Sequence, residues 1–220
     1  MYNTFIMQNY SSIFSEIFSD QALVQKIQKK LPELFLLAEI ENSRNGKLGM
    51  EIGSARERII IALLMHKFGA SSVDADLPIT LAEVDVVVKG EKLSIKTATG
   101  VRIPGVKLIW SVDAQKALEF KNEYEPVCDL MLVQLNWHGV GNMYLFPIQT
   151  QKDVLEALGR DVYIKLPKQG TNARGVELSG PAISSLMQAK TSLKIPIDFV
   201  RGDVDYTASY KRWLDLWENV

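Results

Sequence analysis

The chain has 220 residues, 47% of them apolar and 23% charged, with a formal net charge of −1. That length suits one full hydrophobic core and is short for two independent domains. The balanced charge argues against a general nucleic-acid coat, which carries an excess of Lys and Arg, but it leaves room for a DNA enzyme with a local basic surface. No apolar run reaches the roughly 18 residues of a membrane span, and no basic-then-apolar leader is present, so a cytoplasmic protein is expected. Cys128 is the single cysteine. Beside DLMLVQL it is expected to be a small buried apolar group rather than a nucleophile.

In chain order, residues 1–45 read as mostly helical, with Ser and Asp available as caps and Pro32 opening a new helix. SRNGKLGMEIGS (43–54) is a glycine-containing connector, followed by the helix ARERIIIALLMHKFG, closed by Gly69. LAEVDVVV and KLSIKT are β-branched runs joined by KGE, a short hairpin turn. SVDAQKALEFKNEY is the next helix, with Ser111 as N-cap. CDLMLVQLNW, HGVGN and MYLFPI make a second hairpin of apolar strands, and TQKDVLEALG a further helix. VYIKL and GVELS are short strands around a PKQGTNARG loop, and SGPAISSLMQ starts a helix with Pro181 near its first turn. The tail places Tyr210, Trp213, Leu214 and Trp217 on one helical face, expected to pack on the core, with a dimer contact as the alternative. Helices, a strand-rich middle and further helices fit a single mixed α/β domain over 1–220 with a central sheet.

The chemistry sits on the first hairpin. Side chains alternate faces along a strand, so Glu83 and Asp85 share a face, as do Ser94 and Lys96. An Asp among Val84, Val86, Val87 and Val88 is costly to bury as an anion without a cation or hydrogen bonds. A lysine ending an apolar strand raises the same difficulty. A divalent ion held by Asp85, with Lys96 near the water or phosphate it activates, answers both; an inter-strand Asp85–Lys96 salt bridge without catalysis is the alternative. Phosphodiester hydrolysis uses such parts, and Mg²⁺ needs only a few protein oxygens because it keeps several waters.

This hairpin resembles the PD-(D/E)xK nuclease superfamily, which includes most type II restriction endonucleases and the archaeal Holliday-junction resolvases. Val84 replaces the loosely kept proline and Ser94 the second acid, while Lys96 is in place two residues after Ser94. The resemblance implies that the missing carboxylate comes from another element, and GSARERIIIALLMHKFG offers Glu57 on the preceding helix. It further implies a metal set of Asp85, Glu57 and the backbone carbonyl of Ile95, with Ser94 hydrogen-bonding beside it. Ser54-x-x-Glu57 is also a capping box, which would leave Glu57 a purely backbone role; Glu51 is then the other available carboxylate. Over about residues 45–190, LIWSVDAQKALEF, CDLMLVQLNW and LPKQGTNARGVELSG are similar to the ThaI-type group of restriction endonucleases, cutters of CGCG. By that resemblance the catalytic core spans about 54–166, after a helical portion (1–45) and before a DNA-recognition loop and C-terminal helices (about 166–220).

KQGTNARG is rich in groups that read base edges, making Lys168, Gln169, Thr171, Asn172 and Arg174 the recognition candidates. A polar hairpin tip is the plainer reading. Between 160 and 175, Arg160, Lys165, Lys168 and Arg174 face a single acid, Asp161, a local basic stretch or simply a solvated loop. In SRNGKLGM, Arg44 and Lys47 could contact phosphates, and Met50 could wedge between base steps or simply be buried. His66 and His138 have no metal-ligand company. The expectation is therefore a Mg²⁺-dependent, type II-like endonuclease acting on a short palindrome in double-stranded DNA. It would act as a homodimer, with no nucleotide cofactor and no membrane partner. A junction resolvase-like nuclease and a DNA-binding protein whose nuclease core has decayed are the alternatives.

Overall fold

The computed structural model describes residues 12–44, 47–48, 51–78, 83–111, 113–167, 175–202, 207 and 210–218, the side chains of 44, 47, 48 and 212 excepted. The chain opens with α1 (Ser15–Ser19) and α2 (Gln21–Glu41), then a two-stranded ribbon of β1 (Ser43–Arg44) and β2 (Lys47–Leu48). Next come α3 (Ile52–Phe68), β3 (Val73–Asp74), β4 (Val86–Val88), β5 (Glu91–Thr99), β6 (Gly105–Ile109) and α4 (Ala114–Glu123). β7 (Asp129–Leu135), β8 (Gly139–Phe146), α5 (Ile148–Leu158), α6 (Arg160–Tyr163) and β9 (Ile164–Lys165) follow. β10 (Val176–Ser179), α7 (Gly180–Gln188), β11 (Leu193–Phe199) and α8 (Lys211–Glu218) complete the order.

A mixed sheet runs β11-β8-β7-β5-β4-β3, and a smaller one runs β6-β10-β9. Within the larger sheet β5 and β7 are parallel and the other neighbours antiparallel. Alternation along the strands splits the core in two. Leu93, Ile95, Met131, Val133, Met143 and Leu145 meet Phe14, Phe35, Ile60 and Leu64 of the N-terminal helices on one face. Leu130, Leu132, Tyr144 and Phe146 meet Leu155, Tyr163, Ile183 and the smaller sheet on the other. Lys89 and Gly90, at φ 50° and 88°, form the β4–β5 turn. Positive φ at both central positions matches the twist of the flanking strands and fixes their register.

Several elements differ from the sequence expectation for identifiable reasons. Pro32 lies inside α2 and opens no helix. Its missing donor costs about 3 kcal/mol, but Leu23, Ile27, Leu31, Phe35 and Leu36 are buried on both sides of it, each worth roughly 1.5–3 kcal/mol. α4 is capped by Asp113, whose Oδ1 accepts from the amides of Gln115 and Lys116, while the Ser111 hydroxyl pairs with the backbone of Asp113. The β7–β8 turn ends before Gly139, because Gly141 is no turn residue. A Cβ there would collide with the Gln134 carbonyl and the Phe199 ring. β11 escaped the sequence reading altogether, since Pro196 interrupts its buried Ile195, Ile197 and Phe199. α8 keeps Trp213, Leu214 and Trp217 exposed rather than packed on the core.

Candidate active site

Asp85 stands immediately before β4 and stays in the ladder through its amide, which donates to the Leu93 carbonyl at 3.0 Å. That pairing sets its side chain beside Ser94 and Lys96 of β5. Its Oδ2 accepts from the Ile95 amide at 2.6 Å, from Lys96 Nζ at 3.0 Å and from Ser94 Oγ at 3.2 Å. The three donors answer the cost of an anion among valines. Lys96 and Asp85 side chains are each 17% exposed, so both remain within reach of an incoming group.

α3 begins at Ile52, so Ser54 is already helical and the alternative capping box does not form. Glu57 is thereby free of a capping role and lies in the second turn of the helix. Its carboxyl is held above the ordinary range by burial and then by the negative charge of Asp85, with Lys96 and Arg58 pulling the other way. The structure thus gathers Glu57, Asp85, Ser94 and Lys96. Glu51, at the helix entry, is exposed and makes no cap.

Sequence reasoning passed over Glu83 as a site residue. Burial pushes its carboxyl up to about 7, against a hydrogen bond from Tyr124 and the charge of Lys96. The signal was present in its shared face with Asp85. Nearby Cys128 is buried as expected, its thiol pushed up to about 12 by desolvation and then by the charges of Glu83 and Asp85. A thiol so protonated is no nucleophile.

Three carboxyl groups therefore surround one lysine in a partly desolvated place. Asp85 and Glu57 offer hard oxygen donors, and their mutual repulsion is the kind that a small divalent cation relieves. The donor set fits Mg²⁺, which requires few protein ligands. Among the described residues, no group of three or more His, Cys, Asp and Glu side chains forms a metal cage. His66 contacts Lys26 at 3.0 Å and His138 is exposed in a turn.

The DNA-reading candidates are only partly in view. Lys168, Gln169, Thr171, Asn172, Arg174 and Met50 lie outside the described residues. Arg44 and Lys47 are opposite each other in the β1–β2 ribbon, their side chains undescribed. The far root of the 168–174 segment is fixed at Gly175, whose φ is 101° and whose amide donates to the Ser111 carbonyl at 2.8 Å. A Cβ there would strike the Ile109 carbonyl, so only glycine fits.

The family model described as "Restriction endonuclease ThaI" matches residues 17–219. The chain belongs to the ThaI restriction endonuclease family. It is accordingly a site-specific deoxyribonuclease, and its mixed sheet flanked by helices is the restriction-endonuclease architecture. A solved structure described as "Restriction endonuclease in complex with substrate DNA" shares 47% identity with this ThaI-family chain at a TM-score of 0.87. The match covers 95% of this chain and 100% of the other. No curated protein matches. Among the described residues of this ThaI-family enzyme, no helix is long and apolar enough to cross a membrane.

Proposed function

We propose that this enzyme hydrolyses phosphodiester bonds in both strands of a short palindromic site in double-stranded DNA, acting as a homodimer with Mg²⁺. The observation that carries this reading is Asp85, held by Ile95, Ser94 and Lys96, with Glu57 charge-coupled to the same place. Ser94 is an intact part of that arrangement, donating to Asp85, which speaks against a decayed core. A relative of 47% identity described in complex with substrate DNA supports duplex DNA as the partner.

Asp85, Glu57 and the Ile95 carbonyl would hold the ion, which supplies charge neutralisation at the phosphate and a water of lowered pKa. Lys96 keeps its ammonium against Asp85, where it can orient the attacking water and offset the charge growing on the phosphoryl oxygens. Ser94 and the Ile95 amide fix the rotamer of Asp85. Burial and then the charge of Asp85 raise the Glu57 carboxyl, so a cation would compete with a proton for it. The 168–174 segment would read base edges with Lys168, Gln169, Thr171, Asn172 and Arg174, while Arg44 and Lys47 would hold phosphates and Met50 would enter between base steps. Two copies follow from the symmetry of a palindrome cut on both strands.

Plasmid incubated with the protein should yield discrete fragments with Mg²⁺ and none with EDTA or with Asp85→Ala. Preference for a four-way junction over linear duplex would favour a resolvase-like enzyme instead. Cutting by Asp85→Ala at the wild-type rate would overturn the assignment.

A further inference from the structure

A second ion pair lies on the same helix as Glu57. Glu39 of α2 and Arg56 of α3, each 4% exposed, meet at 2.5 Å. Glu39 also accepts from Trp137 Nε1 at 2.7 Å and from Arg201 at 2.9 Å. The other terminal nitrogen of Arg56 donates to Thr99 Oγ1 at 3.1 Å. Its guanidinium stands 5.6 Å from the Phe35 ring, and its buried Nε has no partner among the described residues.

Burying opposite charges is a poor means to stability, because desolvation consumes most of the attraction and apolar side chains of similar size do as well. What a buried cation held by two partners does supply is direction. Arg56 precedes Glu57, and consecutive helical residues point about 100° apart. Fixing the guanidinium between Glu39 and Thr99 therefore fixes the direction of Glu57. Thr99 closes β5, the strand that carries Lys96 three residues earlier. The same pair also closes the neck of the segment holding the β1–β2 ribbon, since Glu39 lies before it and Arg56 after it.

We propose that Glu39 and Arg56 are positioning residues that aim Glu57 at the Asp85–Lys96 pair and join the neck of the β1–β2 ribbon to the catalytic strand. The proposal rests on the nuclease reading above. It makes the ion pair part of the cation site without either residue touching the ion.

The test uses the full chain in four variants: Thr99→Val, Arg56→Lys, the apolar replacement Glu39→Met with Arg56→Leu, and Asp85→Ala as control. Thermal melting, Mn²⁺ binding to the DNA-free protein by electron paramagnetic resonance, and single-turnover cleavage against Mg²⁺ concentration are measured. Thr99→Val and Arg56→Lys are expected to weaken Mn²⁺ binding and raise the Mg²⁺ needed for half-maximal cleavage about 10- to 100-fold. The apolar pair is expected to melt near wild type yet cleave as poorly as Arg56→Lys. An apolar pair that is stable, binds Mn²⁺ as wild type and cleaves normally would show a merely structural role and overturn the proposal. Thr99→Val keeps the question decidable if the charge variants fail to fold. If wild type cuts no DNA, the nuclease reading fails, while Mn²⁺ binding still reports on the positioning.

Discussion

Two ion pairs flank the junction of α3 and β5, and they are built on opposite plans. Arg56–Glu39 is dry and its carboxylate is saturated with donors: it receives two guanidinium groups and an indole N–H. Asp85–Lys96 is half open and has a surplus of carboxyl groups, with Glu57 and Glu83 crowded beside a single lysine. A salt bridge is thus no mark of chemistry by itself. The surplus is, because it leaves a place whose electrostatics improve when a cation arrives.

The contrast can be broken most sharply through stability. Glu39→Ala is expected to cost about 3–5 kcal/mol in chemical denaturation, since it strands a buried guanidinium. Asp85→Asn removes charge from the crowded cluster and is expected to leave the denaturation midpoint equal or higher while abolishing cleavage. A large loss of stability in Asp85→Asn would show that the two pairs do the same work.

The pH dependence of stability separates them next. Glu83 ionises near pH 7 in the folded protein against an ordinary value of 4.5. The folded state therefore holds the proton more tightly, and this group's contribution to stability falls as pH rises from about 4.5 to about 7. Solvent access limits the effect to at most about 3 kcal/mol. Glu83→Gln should flatten that part of the metal-free stability profile, as followed by urea denaturation at several pH values. Glu57 is shifted in the same direction, so cleavage should rise with pH, and more Mg²⁺ should move the rise to lower pH by competing with the proton. An inflection insensitive to Mg²⁺ would remove Glu57 from the ligand set.

The smallest expected effect belongs to Ser94→Ala. Asp85 keeps the Ile95 amide and Lys96, so the loss should be about 0.5–1.5 kcal/mol in stability or its few-fold equivalent in rate. A collapse of activity to the level of Asp85→Ala would give Ser94 a larger part than its 3.2 Å bond suggests.

Much of this was legible from residues 83–99 alone. Alternation placed Asp85, Ser94 and Lys96 together because strand geometry allows few other outcomes once the Lys89–Gly90 turn fixes the register. Glu57 could be assigned to the site only by resemblance, since whether it caps the helix turns on where α3 starts, a boundary that spacing alone does not fix. Glu39 and Arg201 gave no signal, for their partners are separated by long stretches of chain and meet only after folding. Glycine misled at Gly141, where its smallness serves the Phe199 ring rather than a bend. Proline misled inside α2, where burial on either side outweighed its local preference, and a second proline, Pro196, stands inside β11, a strand the sequence reading did not include.

That second proline has a consequence for how copies of the protein meet. β11 is a border of the main sheet, exposing Lys194, Pro196 and Asp198 between its buried residues, and Gln28 occupies the Pro196 carbonyl at 2.9 Å. The opposite border, β3, offers only Val73 and Asp74. A missing amide, alternating charges and a two-residue strand make both borders poor templates for strand addition. Molecules crowded along one DNA would therefore not zip together through the main sheet.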